Sequence, residues 1–152
     1  MDWQSTAPTA IDALVALWQG NTTLSGLVLD GETRKDTGKN AAVFVGYQGD
    51  EDATVASGRF SKESLVVSPS REGYSIHCAI TAVNGGGNIS SARARVYELF
   101  AACGAALFSD HTLGGAVMSA AIGEWSLTMP QTDRGVVAAL AFNVDIDAYT
   151  QE

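Results

Sequence analysis

The stretch 117–149 constrains this chain more than any other, and its second half carries the cleanest pattern. Leu140, Phe142, Val144 and Ile146 alternate with Ala141, Asn143, Asp145 and Asp147. Period two places four large apolar side chains on one face of a strand and polar groups on the other. A helix would scatter Asn143, Asp145 and Asp147 through the apolar stripe. Residues 117–129 also read as strand, with one phase change. Met118, Ala120 and Ile122 share one parity, and Trp125, Leu127 and Met129 share the other. Gly123 sits where the parity switches, and an extra residue in a β-bulge there returns both sets to one face. Pro130-Gln131-Thr132-Asp133-Arg134-Gly135 joins the halves and is rich in turn formers. The chain therefore closes on a long antiparallel hairpin with one wet and one dry face. The dry face needs a cover.

Two amphipathic helices are available for that. Thr9 or Thr6 can cap a first helix, with Pro8 tolerated in its first turn. Ile11, Leu14, Val15 and Trp18 give it an apolar face, and Gly20-Asn21 ends it. Asn88 or Ser90 can cap a second, longer helix that runs to about Ser109. Ala92, Val96, Leu99, Phe100, Cys103, Ala106 and Leu107 form its stripe. At ~1.5 Å per residue it is about 30 Å long, enough to lie across a whole sheet.

The remaining elements complete the order α, β, β, β, α, β, β. Residues 24–29 form a short apolar run closed by Asp30-Gly31. A polar loop follows at 32–40, and 41–47 alternates as a strand with Val43, Val45 and Tyr47 on one side. From Gly73 a third strand sends Tyr74, Ile76, Cys78, Ile80 and Ala82 one way and Ser75, His77, Ala79 and Thr81 the other. It ends at Asn84-Gly85-Gly86-Gly87-Asn88. Between these strands, residues 48–71 lose period: Asp50-Glu51-Asp52 is an acidic cluster, and Leu65-Val66-Val67 reads as a short strand or an anchoring patch. Long aperiodic segments in compact domains are often functional or ordered by a partner. The expected fold is α+β: a two-layer, mostly antiparallel β-sheet covered by a long helix and an N-terminal helix.

Composition narrows the function. Residues 1–152 read as a single domain, able to bury roughly 70% of its unfolded surface. The chain is 46% hydrophobic and 17% charged, with three prolines, which favours a folded globular class. A net charge of −8, with nine basic residues thinly spread, argues against phosphate-backbone binding as the main task. Met1-Asp2-Trp3 does not open a signal peptide, and no apolar run approaches the ~20 residues of a membrane span. The expectation is a protein made in cytoplasm, with Cys78 and Cys103 as buried thiols.

Reactive constellations are scarce. Gly85-Gly86-Gly87 falls between a strand and a helix, but no Lys-Ser/Thr follows it as in a phosphate-binding loop. His77 and Cys78 are strand neighbours and point to opposite faces. Asp110-His111 ends a helix, where such a pair interacts favourably with the terminus. Asp50, Glu51 and Asp52 lack the spaced oxygen ligands of a calcium loop. Neither an enzyme, a cofactor nor a metal is expected.

Three groups of residues, in order, carry a family resemblance. The first is Val43-Phe44-Val45-Gly46-Tyr47 followed by Gly49-Asp50-Glu51-Asp52. The second is Tyr74-Ser75-Ile76-His77-Cys78-Ala79-Ile80, the Gly-rich turn and the helix with Arg93 and Arg95. The third is Leu113-Gly114, the 117–129 strand, Gln131-Thr132 and the last strand. Together they resemble the tail terminator (tail completion) proteins of long-tailed bacteriophages, notably those infecting actinobacteria. The resemblance covers most of the chain from Ala41 onward, with 60–71 matching least. It implies α+β subunits in a hexameric ring at the head-proximal end of the virion tail. Such a ring caps the tail tube, stops its polymerisation and joins the tail to the head connector. The implied partners are further copies of the chain, the tail tube protein and the head–tail connector proteins. DNA passes through such a ring without specific binding, and no membrane is involved. An acidic lumen would repel its phosphates. On this reading Gln48, Gly49, Asp50, Glu51, Asp52, Gln131 and Thr132 are expected at a subunit or tube interface. Two alternatives stand beside it: another head–tail joining or tail-tube protein, and a small-molecule-binding module or enzyme with a pocket between helix and sheet.

Overall fold

The computed structural model describes residues 4–31, 40–46, 54–61, 71–133 and 135–150. Two helices, α1 (Ala7–Gln19) and α2 (Ile89–Ser109), pack on one face of a sheet. Its strands are β1 (Val28–Asp30), β2 (Ala41–Val45), β3 (Ala56–Ser61), β4 (Arg71–Asn84), β5 (Ser119–Thr128), β6 (Gln131–Thr132) and β7 (Gly135–Tyr149). The main path is β1-β2-β4-β7-β5, with β3 beside β4 and β6 beside β7. Every pairing is antiparallel except β1 with β2. The chain is α+β, as its patterning implies.

The axis of the sheet is the β4–β7 ladder, in register from Arg71↔Tyr149 to Asn84↔Val136. Both strands obey period two along most of their length. Tyr74, Ile76, Cys78, Ile80 and Ala82 on β4, and Val136, Ala138, Leu140, Phe142, Val144, Ile146 and Ala148 on β7, are buried under the helices. Each large side chain so buried contributes about 1.5–3 kcal/mol before conformational entropy is counted. Residues on this covered face form one continuous core.

The bulge falls where the parity switch places it. Ile122 pairs with Val144 and Trp125 with Phe142, so the register shifts between them. Ala120, Ile122, Trp125 and Leu127 all oppose covered-face residues of β7. A Cβ on Gly123 would lie 2.2 Å from Asp145 Oδ2, so a larger residue there would require that exposed carboxylate to swing away.

The two helices are fixed by different means. The Asn88 side chain accepts the Ser91 backbone N–H at 3.0 Å and caps α2, as one of the two sequence alternatives holds. Thr6 occupies the α1 N-cap position but its side chain makes no cap hydrogen bond. The end of α1 is served from β4 instead. The Thr6 backbone N–H donates to Glu72 Oε2 at 3.0 Å, and Ser5 and Thr6 hydroxyls also donate to that carboxylate. A carboxylate at a helix N-terminus meets the positive end of its dipole. Thr6 Oγ1 also lies 2.9 Å from the Tyr74 hydroxyl, and burial pushes that phenol up to about 12. Further along α1, Trp18 donates its indole N–H to Cys103 O at 3.2 Å and tilts over Phe142. Trp18 thereby locks α1 to α2 and to the sheet. Cys78 and Cys103 are buried free thiols, and burial pushes Cys78 up to about 12 and Cys103 higher still.

One expectation needs correction. Residues 48–71 are not aperiodic throughout: 56–61 form β3, and Arg71 opens β4. The β3 sequence Ala-Ser-Gly-Arg-Phe-Ser has no β-branched residue, and its alternation rests on alanine, glycine and one phenylalanine, too weak a local signal to mark a strand. Its order comes from hydrogen bonding along β4, from Ala56↔Ile76 to Ser61↔Arg71. Leu65, Val66 and Val67 lie outside the described residues. The strand expected at 41–47 ends at Val45, where Gly46 turns with φ of 83°.

Candidate assembly surfaces

With no reactive constellation in the sequence, the candidate surfaces are strand edges, grooves and charged faces. β5 is the last strand on one side of the sheet and pairs only with β7 among the described residues. Beside it lies a groove of about 540 Å³ between the end of α2 and β5, lined by Gly104, Leu107, Phe108, His111, Ser119, Ala120, Ala121 and Ile122. Gly104 permits this approach, since a Cβ there would rest 3.6 Å from Ile122 Cδ1. Phe108 is 90% exposed at the groove rim, and Met118 is exposed nearby. Trp125, on the covered face of β5, is 53% exposed although Tyr97 and Phe100 of α2 touch it edge-on or tilted.

On the opposite side of the sheet, β3 pairs with β4 among the described strands. Its Ala56, Gly58 and Phe60 oppose Ile76, Tyr74 and Glu72, which places them on the covered face, whereas Ser57 and Arg59 lie on the open face. Phe60 is 47% exposed. Single exposed apolar residues are unremarkable, but aromatic groups beside strand edges are features of contact surfaces.

The open face is polar at one end. Ser75 Oγ donates to Asp145 Oδ1 at 2.6 Å, and His77 Nδ1 lies 2.8 Å from Asn143 Oδ1. Arg71 grips Asp147 in two-pronged fashion, with Nε donating to Oδ1 at 2.9 Å. That hydrogen bond holds the Asp147 carboxyl below its ordinary value. Toward β2 the open face changes to Ala42, Phe44, Ala79, Thr81, Ala139 and Ala141. A second hollow, of about 450 Å³, lies near the start of α2 between Asn84, Ser91 and Arg95. Arg95 there is engaged with Glu98 at 3.0 Å.

The interface residues expected from sequence fare unequally. Gln48, Gly49, Asp50, Glu51 and Asp52 lie outside the described residues. Gln131 and Thr132 form β6, pairing with Val136 and Gly135 at the tip of the terminal hairpin, and Gln131 is exposed. Phe108 and the β5 groove were not anticipated. One sign was present: Phe108 follows the last stripe residue of α2, one position too far to face the core. Among the described residues no cluster of three His, Cys, Asp or Glu could hold a metal, and no described helix is long and apolar enough to cross a membrane.

No family model matches this chain, and no curated protein sequence matches it either. Its fold does have a counterpart among solved structures. A chain in the virion of a native gene transfer agent (GTA) particle superposes with a TM-score of 0.54, covering 95% of this chain and 98% of its own. The two are 7% identical, so the likeness is one of fold.

Proposed function

We propose that this protein is a structural subunit of a phage-like virion, and specifically a tail terminator. The observation that carries the reading is the nearly end-to-end correspondence, on both sides, with a chain of a virion particle. The order of motifs in the sequence supports the finer assignment. On this reading, copies of the chain form a ring, hexameric by the family resemblance, at the head-proximal end of the tail. The ring caps the tube, halts its growth and meets the head connector. DNA runs through the lumen, and the −8 charge of each chain keeps it from adhering. The role is mechanical and needs no reacting group or cofactor.

Inactivating the gene in the particle that encodes it should give tails of uncontrolled length, or tails without heads, in negative-stain electron microscopy. Supplying the chain in trans should restore joined particles. Heads joined to tails of normal length in the absence of the chain would overturn the assignment. Purified chain that polymerises into open-ended tubes would identify a tube subunit instead of a terminator.

A further inference from the structure

We propose that two copies pair through the outer edge of β5, strand antiparallel to strand about a two-fold axis at Gly123-Glu124, with Trp125 of each copy seated in the Phe108 groove of the other. The pair goes beyond the ring reading and does not rest on it. A two-fold contact ends at two copies, whereas a ring with one end on the tube and the other on the connector repeats head to tail. The pair is therefore a state of the chain outside the ring, and it shields the β5 edge from strand addition by other proteins.

The edge itself is the first support. β5 ends the sheet and pairs only with β7 among the described residues, and the segments that flank it, 113–118 and 129–133, are described as well. Edge strands are usually guarded by charges, prolines or short length. β5 has ten residues, no proline and one charged side chain, Glu124. Trp125, Met118 and Phe108 expose apolar surface along it. A strand added at such an edge supplies backbone hydrogen bonds, and pockets for alternate side chains supply specificity.

Self-complementarity is the second. β5 meets β7 in two four-residue runs, 119–122 and 125–128, with Gly123 and Glu124 between them. In a regular strand, a two-fold axis between adjacent residues would oppose side chains of opposite faces. The bulge cancels that mismatch. Turned about Gly123-Glu124, Ile122 faces the partner's Trp125 and Ala120 faces the partner's Leu127, all on the covered face. On the open face Ala121 faces the partner's Ser126, and Ser119 faces the partner's Thr128. The groove lies beside 119–122, so each half-exposed indole arrives at the partner's groove, walled by Leu107 and Phe108. Knob and hollow sit on either side of one axis, as an isologous contact requires.

Size and charge are the third. α2 runs beside β5: Tyr97 and Phe100 meet Trp125, and Gly104 and Leu107 line the groove at 119–122. The joining wall is thus one strand layer and one helix layer high. Ten residues span ~34 Å and the two layers stand ~20 Å, so each copy covers roughly 700 Å². Stable contacts of standard size bury about 800 Å² per partner. Charge on this wall is sparse for a chain of −8: His111 is the one ionisable residue lining the groove, and Glu124 the one on the strand. Pairing brings the two Glu124 side chains close to the axis, which gives the contact a charge signature of its own.

Disulfide trapping tests the pair. Ala121→Cys and Ser126→Cys replace exposed open-face residues, and the native Cys78 and Cys103 are buried, so background oxidation is low. Along one strand the two positions are too far apart to bridge, whereas opposed across the axis they come within reach of a disulfide. The doubly substituted full-length chain should give a covalent dimer on a non-reducing gel and nothing larger, and each single variant should stay uncrosslinked. Light scattering should give twice the chain mass for the wild type. Phe108→Asp puts a charge against the apolar groove and should weaken the dimer by about tenfold or more, with an unchanged far-ultraviolet dichroism spectrum. Glu124→Gln should tighten it about threefold at low salt, because two carboxylates ~6 Å apart repel in water, and less at high salt. A covalent dimer from the double variant alone, with a weaker dimer in Phe108→Asp, supports the pair. A ladder beyond the dimer would overturn it in favour of a head-to-tail contact. Dimers from either single variant, or a dimer indifferent to both Phe108→Asp and Glu124→Gln, would overturn the two-fold pairing of β5. A wild-type chain that stays monomeric, or a ring that gives no crosslink, would overturn the pair and leave the ring reading standing.

Discussion

Truncating Phe142 to alanine probes the packing on which every proposed surface depends. Phe142 is 2% exposed on β7, opposite Cys78 on one side and Trp125 on the other. Its ring centroid lies 5.1 Å from that of Phe100 on α2 and 5.9 Å from that of Trp18 on α1. Phe→Ala in a core costs about 3–5 kcal/mol, from lost transfer energy and from the cavity that remains. Aromatic pairs add ~0.5–1.5 kcal/mol each beyond area, and two of them are lost here. Collapse into the hole is restricted, because Trp18 is held by its hydrogen bond to Cys103 O. The upper part of the range, about 4–5 kcal/mol, is therefore expected. Domains of this size are commonly stable by ~5–15 kcal/mol, so the variant should fold but denature at much lower urea concentration. Equilibrium urea unfolding followed by tryptophan fluorescence measures this directly. Trp125→Ala is the internal control. It removes a half-exposed ring from the same face and should lose only about 1–2 kcal/mol. A loss below 1 kcal/mol for Phe142→Ala, or equal losses for the two variants, would refute the assigned packing.

Two further outcomes follow from the polar contacts. Glu72→Ala removes the carboxylate that receives the Thr6 N–H and two hydroxyls, and should destabilise the fold by about 1.5–3 kcal/mol with hydrogen exchange rising first in α1; unchanged exchange in α1 would show that the helix does not depend on this tether. Asp147 titrates below its ordinary 3.8 because Arg71 bonds its ionised form. The folded value lies below the unfolded one, so its stabilising contribution is present above 3.8 and is lost as pH falls through the folded value. Both groups are partly exposed, so that contribution is screened by salt. In carboxyl-carbon NMR titrations, Arg71→Ala should return Asp147 toward 3.8, and an unmoved midpoint would remove Arg71 as the cause.

Much of the architecture is written locally. The period-two run of β7, the alternation of β4 and the stripe of α2 each assign a buried face without knowledge of any partner. Even the bulge at Gly123 is legible, because a parity switch within one strand has few other resolutions. Strand β3 is hardly legible, since Ala-Ser-Gly-Arg-Phe-Ser takes its order from hydrogen bonds to β4 and its alternation holds only one large apolar residue. The end of α1 is likewise hidden: the carboxylate that serves it comes from Glu72, 66 residues along the chain. The assembly surface is decided later still. Trp125 is an apolar residue in a regular strand, and its periodicity places it on the covered face, whereas Phe108 falls off the apolar stripe of its helix. Whether they end buried or exposed depends on where α2 stops relative to β5 and on which strand is left at the edge. Those are properties of the order of strands in the sheet. Local patterning fixes which face of each element is apolar, whereas only the tertiary structure decides which apolar groups remain uncovered, because an edge exists only once every other strand has found its place.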